Sequence, residues 1–280
     1  RRVPQHRRIP LNGLPAMPFK TRSIILALLL LSGLGITAAP RESAGAGNYW
    51  DLPPGLPPAE YGTLLINRLS GRNGEEPVTF SHWSHRRKYT CRVCHFELEF
   101  NMKVNTTEIT EAANKAGRYC GACHDGKEHD GKVVFGHDKP NCDKCHNGNR
   151  AYGKEKFSEL SPFPKTRFGN RIDWVKALET GLIKPVYEGT IKPAEITFDK
   201  TLSLEAEWFN IPPAVFPHKV HTRWLDCNNC HPDIFNIKKK TTKHFLMTRI
   251  LNGEFCGVCH LNVAFPMDDC KRCHPGIKGN

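Results

Sequence analysis

The sequence predicts a mainly irregular, small-α fold: two modules with short helices and long ordered loops, packed around bound groups instead of one large apolar core. Three observations predict it. Of 280 residues only 39% are hydrophobic, whereas 21 are Pro and 23 are Gly, a composition of turns and irregular backbone. All 12 Cys fall in six Cys-x-x-Cys-His motifs, leaving no thiol over: Cys91/Cys94/His95, Cys120/Cys123/His124, Cys142/Cys145/His146, Cys227/Cys230/His231, Cys256/Cys259/His260 and Cys270/Cys273/His274. The motifs also repeat. The first and second lie 29 residues apart in each half, Cys91 to Cys120 and Cys227 to Cys256, and only the last interval differs, 22 residues against 14.

Along the chain, residues 1–16, rich in Arg and Pro, read as sequence upstream of the natural start, with a native basic extension as the alternative. Residues 17–39 read as an export signal: Met17, the basic Lys20 and Arg22, an apolar run from Ile24 to Leu31, and a small-residue exit at Thr37-Ala38-Ala39. That run is short for a membrane span, although an uncleaved signal acting as an anchor is the alternative. No Cys stands near the exit, so a lipid anchor is not indicated. Residues 40–75 form a Pro/Gly-rich N-terminal segment, with Pro53-Pro54-Gly55 and Pro57-Pro58, expected to wrap the first module or reach a partner. The first module is read at 76–150 and the second at 211–280. The connecting segment, 151–210, predicts a short helix over 171–180, stopped by Gly181, with Ile172, Val175 and Leu178 on one face. Its expected role is a linker packed on its neighbours, with partner recognition as the alternative. Brief helices are also expected over 107–116 and 242–251; strand signals are weak.

Charge excludes one function class. Residues 1–39 hold six of the 40 Lys/Arg and no Asp/Glu, so the remainder carries 34 basic against 28 acidic residues, a balance of +6. A nucleic-acid partner, suggested by the overall +12, loses its basis.

Cys-x-x-Cys-His is the attachment signature of c-type haem. Two cysteines in one turn form thioethers to the two vinyl groups of one porphyrin, and the following His lies beneath the iron as proximal ligand. The sequence thus predicts six covalently bound haem c groups, with proximal ligands His95, His124, His146, His231, His260 and His274. Six haems bring twelve propionates, offset in part by six ferric centres, so the balance falls to zero oxidised and −6 reduced. Structural zinc also uses Cys-x-x-Cys, but needs no His directly after the second Cys, and here all six motifs have it. A thioredoxin-like motif needs a βαβ setting, and none is visible.

Eight histidines lie outside the motifs: His6, His82, His85, His129, His137, His218, His221 and His244. Leaving aside His6, before the signal, seven candidates face six open iron positions. Bis-His ligation makes haem low-spin and closed to substrate, and gives lower potentials than Met/His. Met102, Met247 and Met267 are lesser candidates, Met in such places being packing more often than ligand.

The duplication extends beyond the motifs. Phe80-Ser-His82-Trp-Ser-His85 stands before Cys91 as Phe216-Pro-His218-Lys-Val-His221 stands before Cys227. Phe100-Asn-Met-Lys103 answers Phe235-Asn-Ile-Lys238, and Tyr119-Cys-Gly-Ala-Cys-His124 answers Phe255-Cys-Gly-Val-Cys-His260. On these residues each half resembles the trihaem module of the class III multihaem cytochromes, the cytochrome c7 type, over about 75–150 and 211–280. The resemblance implies two haem-packed trihaem modules. It further implies that the Phe-x-His-x-x-His segment supplies distal ligands to two haems: His82 completes the haem of His95 and His85 that of His124, as His218 completes His231 and His221 completes His260. The third distal ligand departs from the family spacing. His244 is the candidate in the second half, the haem it serves being open. The first half has Glu108 at that offset, leaving His137 or His129, with His137 preferred because Phe135-Gly136 sets an apolar anchor and a turn before it.

The expected function is outer-sphere electron transfer through closely spaced haems in the periplasm or at the cell surface, with no catalytic residue. Redox partner proteins are expected, in a membrane-associated electron-transfer complex or through self-assembly. The rivals are a multihaem reductase with an open iron and a subunit of an extracellular haem filament. Surplus distal histidines, and the lack of a haem motif ending in Lys, argue against the reductase.

Overall fold

The computed structural model describes residues 55–129, 131–193, 198–206, 210–236 and 245–278. The signal and His244 lie outside the described residues.

In the first half, β1 (Thr63–Ile66) pairs antiparallel with β2 (Val78–Ser81), Thr63 opposite Ser81 and Ile66 opposite Val78. The second strand runs without a break into α1 (His82–Arg86). A π-helical turn, Val93–Glu97, carries the end of the first motif. Next comes α2 (Glu111–Lys115), whose N-cap Thr110 accepts a hydrogen bond from the Ala113 amide at 3.1 Å. A 3-10 turn at Tyr119–Ala122 opens the second motif. The small hairpin β3 (Glu128–His129) and β4 (Lys132–Val133) follows, then a 3-10 turn at Cys142–Lys144 with the third motif. That motif docks on the first hairpin: the Thr79 amide donates to the Cys145 carbonyl at 2.8 Å.

The second half rebuilds this plan. β5 (Thr201–Leu204) and β6 (Ala214–Pro217) pair with Thr201 opposite Pro217, and β6 continues into α4 (His218–Thr222). A 3-10 turn at Cys227–Asn229, then α5 (Met247–Leu251), α6 (Gly257–His260) and α7 (Cys270–Cys273), complete it, with α3 (Trp174–Glu179) standing between the halves. The hairpins exceed what the sequence suggests. Four-residue strands are too short to show a period of two, and β1 and β5 lie in segments with no ligand of their own. The helices are shorter than expected because Thr110, inside the expected 107–116 helix, caps α2 instead of joining it. Within 242–251, residues 242–244 lie outside the described residues and α5 begins at Met247.

The connecting segment forms the apolar core. Leu160, Phe163, Ile172, Trp174, Ala177 and Ile183 pack around Trp83 of the first module and Trp224 of the second. Asp173 caps α3 by accepting from the Lys176 amide at 3.0 Å, and Gly181, at φ +71°, stops the chain just after it. The buried residues are Ile172, Trp174 and Ala177, with Val175 and Leu178 only half-buried. The expected face of Ile172, Val175 and Leu178 is rotated because Ile172 precedes the helix instead of lying in its first turn. Each large side chain buried here contributes about 1.5–3 kcal/mol, so this segment binds the modules together.

Candidate functional site

Eleven of the twelve expected histidine ligands lie in the described residues, and all eleven make the same bond: Nδ1 donates to a main-chain carbonyl. In the first half the partners are Gly62 for His82 (3.0 Å), Ser81 for His85 (2.8 Å), Phe100 for His95 (2.8 Å), Phe135 for His124 (3.2 Å), His124 for His137 (2.9 Å) and Glu76 for His146 (3.0 Å). In the second they are Lys200 for His218 (2.7 Å), Pro217 for His221 (2.9 Å), Phe235 for His231 (2.7 Å), Phe265 for His260 (2.9 Å) and Pro212 for His274 (2.7 Å). A carbonyl only accepts, so Nδ1 holds the proton and Nε2 keeps a lone pair for a metal. The hairpins explain themselves here. Gly62 and Lys200 each precede the first strand, so β1 and β5 present the carbonyls that orient His82 and His218. His129 differs, because its Nε2 is engaged by Asp125 Oδ1 at 2.8 Å. Of the two first-half candidates, only His137 makes the Nδ1-to-carbonyl bond of the other ten.

Three pairs face one another. Ring centres are 6.4 Å apart for His82 and His95, 6.2 Å for His85 and His124, and 6.3 Å for His221 and His260, with interplanar angles of 5°, 53° and 68°. Two imidazoles each bound at about 2.0 Å to one iron, with about 1.1 Å from ring centre to nitrogen, stand roughly 6 Å apart. The gaps therefore fit an iron between the rings. His218 with His231, and His137 with His146, keep their carbonyl bonds without such a ring pairing. Phe80 packs on His82 and His85 (4.8 and 4.5 Å) as Phe216 does on His218 and His221 (4.9 and 4.3 Å). Burial holds His82, His85, His95, His124 and His221 below the usual imidazole range and His260 down to about 4, so these rings are neutral and ready to ligate.

The twelve cysteines are free of disulfides. Burial pushes the thiols of Cys94 and Cys259 up to about 12 and those of Cys120, Cys230, Cys256 and Cys273 to about 11, the opposite of an activated redox thiolate. Among the described residues no three His, Cys, Asp or Glu side chains converge as a zinc site requires.

Both cysteines of the second motif share one turn, as expected: the Cys120 carbonyl accepts from the Cys123 amide at 3.2 Å and from the His124 amide at 2.9 Å, with Cys123 as the C-cap of the 3-10 turn Tyr119–Ala122 at φ −125° and ψ −30°. Cys123 lies in the electrostatic surroundings of Cys120 and Cys94. Cys145 and Cys230 take the same capping place in the third and fourth motifs.

The glycine inside each half's second motif has a steric cause. A Cβ at Gly121 would lie 1.9 Å from the Asn114 carbonyl oxygen, and at Gly257 1.9 Å from that of Ile250, so each motif rests directly on the preceding helix. The aromatic residue before each motif, Tyr119 or Phe255, takes a left-handed φ of 50° or 51°.

Two arginines at the junction escape a motif search. Arg92, inside the first motif, is fully buried and pairs with Glu97 and with Asp226 Oδ2 at 3.2 Å, just before the fourth motif. It also donates to the carbonyls of Ile191 (2.8 Å) and Tyr187 (3.3 Å), so one guanidinium ties both modules to the connector. Arg86, at the end of α1, donates through Nη2 to the Val263 carbonyl of the second module at 3.2 Å and lies 5.3 Å over the Trp174 ring. Beside it, the Tyr61 hydroxyl donates to the Ala264 carbonyl at 2.7 Å. The signal for both was a break in the repeat: the counterparts in the second half are Thr222 for Arg86 and Asn228 for Arg92.

Residues 78–147 and 214–275 match the family described as cytochrome c7 and related cytochrome c. Solved structures with a likeness to the chain include the C-terminal hexahaem fragment of GSU1996, 24% identical over 80% of this chain and 98% of that one, with a TM-score of 0.25. The dodecahaem cytochrome c GSU1996 is 24% identical over 73% and 72%, with a TM-score of 0.24. Its N-terminal hexahaem fragment is 23% identical over 77% and 99%, also at 0.24. No curated protein sequence matches the chain.

Proposed function

The chain belongs, through its two modules, to the family of cytochrome c7 and related cytochromes c, and from that premise we propose that it is an exported hexahaem electron carrier with iron closed on both faces by imidazole. Haem supplies a one-electron ferric/ferrous couple, and the protein sets ligation, spacing and exposure. Cys91/Cys94, Cys120/Cys123, Cys142/Cys145, Cys227/Cys230, Cys256/Cys259 and Cys270/Cys273 hold the six groups, and the following histidines ligate from one side. His82, His85, His137, His218, His221 and His244 ligate from the other. The observation that carries this reading is the set of three facing imidazole pairs at 6.2–6.4 Å, each ring fixed through Nδ1. Rings so fixed leave no position for a substrate at these three irons, which favours electron transfer over reduction of a small oxyanion.

The modules are placed for transfer from one to the other. Cys91 of the first motif is an electrostatic neighbour of Cys230 and Cys259 in the second module, and Cys120 is one of Cys145. The first motif thereby stands at the crossing, and the third and sixth motifs, whose Cys142 and Cys270 are exposed as Cys227 of the fourth is, are the proposed places of exchange with donor and acceptor proteins in the periplasm or at the cell surface. Exposing the dithionite-reduced holoprotein to carbon monoxide tests this. The expected spectrum is unchanged by the gas, and mixing with a soluble one-electron acceptor reoxidises all six haems. Stoichiometric carbon monoxide binding, or turnover of nitrite or hydroxylamine, overturns it.

A further inference from the structure

We infer that Arg86 sets the reduction potential at the crossing between modules, acting as a cation with no carboxylate partner among the described residues and placed between the haem site of His95 and that of His260; this rests on the haem reading above. The placement follows from the contacts. Arg86 lies one turn after His82 in α1, and its guanidinium is anchored on the Val263 carbonyl, four residues beyond Cys259. The groups that feel its charge are His82 and Cys91 of the first site, His260 and Cys259 of the fifth, and Tyr61. Among the described residues no carboxylate forms an ion pair with it. Its neighbours show the contrast: Arg87 pairs with Glu159 at the surface, and Arg92 pairs with Glu97 and Asp226. Asp268 acts on Tyr61 and forms no ion pair with Arg86. Once Cys91 and Cys259 are thioethers, and with the Tyr61 hydroxyl raised by burial and neutral, no anionic protein group among the described residues lies within ion-pair distance of this charge.

A fixed positive charge in a poorly solvated site favours the oxidation state with less positive charge. Arg86 therefore favours ferrous iron at the two flanking haems, drawing the electron to the crossing. Thr222 occupies the repeat-equivalent position, so the second module has no matching cation and the effect belongs to the junction alone.

Haem-resolved redox titration by nuclear magnetic resonance, on the full holoprotein, tests this with Arg86→Gln, Arg86→Met and Arg86→Lys. Arg86→Met keeps an unbranched stem over Trp174 and serves as the second neutral variant if Arg86→Gln loads poorly. In the neutral variants the ferrous-to-ferric ratio of two haems, those of His95 and His260, is expected to fall roughly tenfold at fixed potential, equal to 59 mV for a one-electron couple. The other four haems stay in place, and Arg86→Lys keeps wild-type potentials. Unchanged potentials in the neutral variants overturn the inference, as does an equal shift in Arg86→Lys, which marks a packing role. Failure of the haem reading is distinguishable, because it appears in the wild type as missing haem or open iron.

Discussion

His82→Ala is expected to convert one haem of the six to a high-spin, carbon-monoxide-binding form while the remaining five stay low-spin. The His82 ring faces that of His95 across 6.4 Å with planes 5° apart, and its Nδ1 is held by the Gly62 carbonyl, so its Nε2 points across the gap. Among the described residues no other imidazole faces that of His95, and its neighbour His85 is committed to the face opposite His124. Changing the two remaining first-half candidates separates ligand from bystander. His137→Ala is expected to open one iron as His82→Ala does, because His137 has its Nδ1 on the His124 carbonyl. His129→Ala is expected to open none, because its Nε2 already bonds Asp125, a contact that holds that carboxyl down at about 2. Absorption spectra of the ferrous proteins with and without carbon monoxide read the count directly. Six closed haems in His82→Ala, or an opened one in His129→Ala, contradict the assignment.

Arg92→Met carries the largest expected stability effect away from the irons. Its guanidinium is fully buried between Glu97 and Asp226, and removal takes the cation from both carboxylates, leaving Glu97 with the amides of Gly189, Thr190 and Ile191 and Asp226 with that of Asn228. Breaking a buried ion pair by removing one partner costs about 3–5 kcal/mol, chiefly through the charge left behind. Burial works against the Glu97 carboxylate, but the amides of Thr190, Gly189 and Ile191, with Arg92, hold its pKa below the ordinary 4.5. A carboxyl lowered in this way stabilises the fold fully above its unfolded value, and the contribution is lost as pH falls through the lower folded value. Thermal unfolding of Arg92→Met is expected at a lower temperature, with the connector at 187–191 released first, as hydrogen exchange of the Thr190 and Ile191 amides would show. A variant as stable as the wild type contradicts the role of Arg92 as the tie between modules.

Much of the site was legible because covalent haem attachment demands fixed residues at fixed spacing. Twelve cysteines and six proximal histidines follow from six short motifs, and the repeat exposes Phe80-x-His82-x-x-His85 and Phe216-x-His218-x-x-His221 as one device used twice. Spacing alone does not reveal that the Cys120 carbonyl serves both the Cys123 and the His124 amides, because that depends on the backbone geometry of the turn. Less visible still was what orients the histidine rings. The carbonyls of Gly62, Lys200, Glu76 and Pro212 belong to the backbone, and no side-chain pattern marks an acceptor. The strands that present two of them are four residues long, too short to register as alternation. The connector core was half legible. Gly181 gave the end of α3, but the start at Trp174, fixed by the Asp173 cap, turned a different face inward. Arg86 and Arg92 look like ordinary surface cations in sequence, and only their absence from the second copy distinguishes them.

Low-temperature electron paramagnetic resonance of the oxidised full-length holoprotein tests the central claim most directly, because it reports the ligands of every ferric iron at once. The near-parallel rings of His82 and His95 predict a rhombic low-spin signal, and the strongly crossed rings of His221 and His260 predict a more anisotropic low-spin signal at larger g. Integrated intensity is expected to account for six low-spin irons per chain. A high-spin ferric signal equal to one haem or more would contradict it.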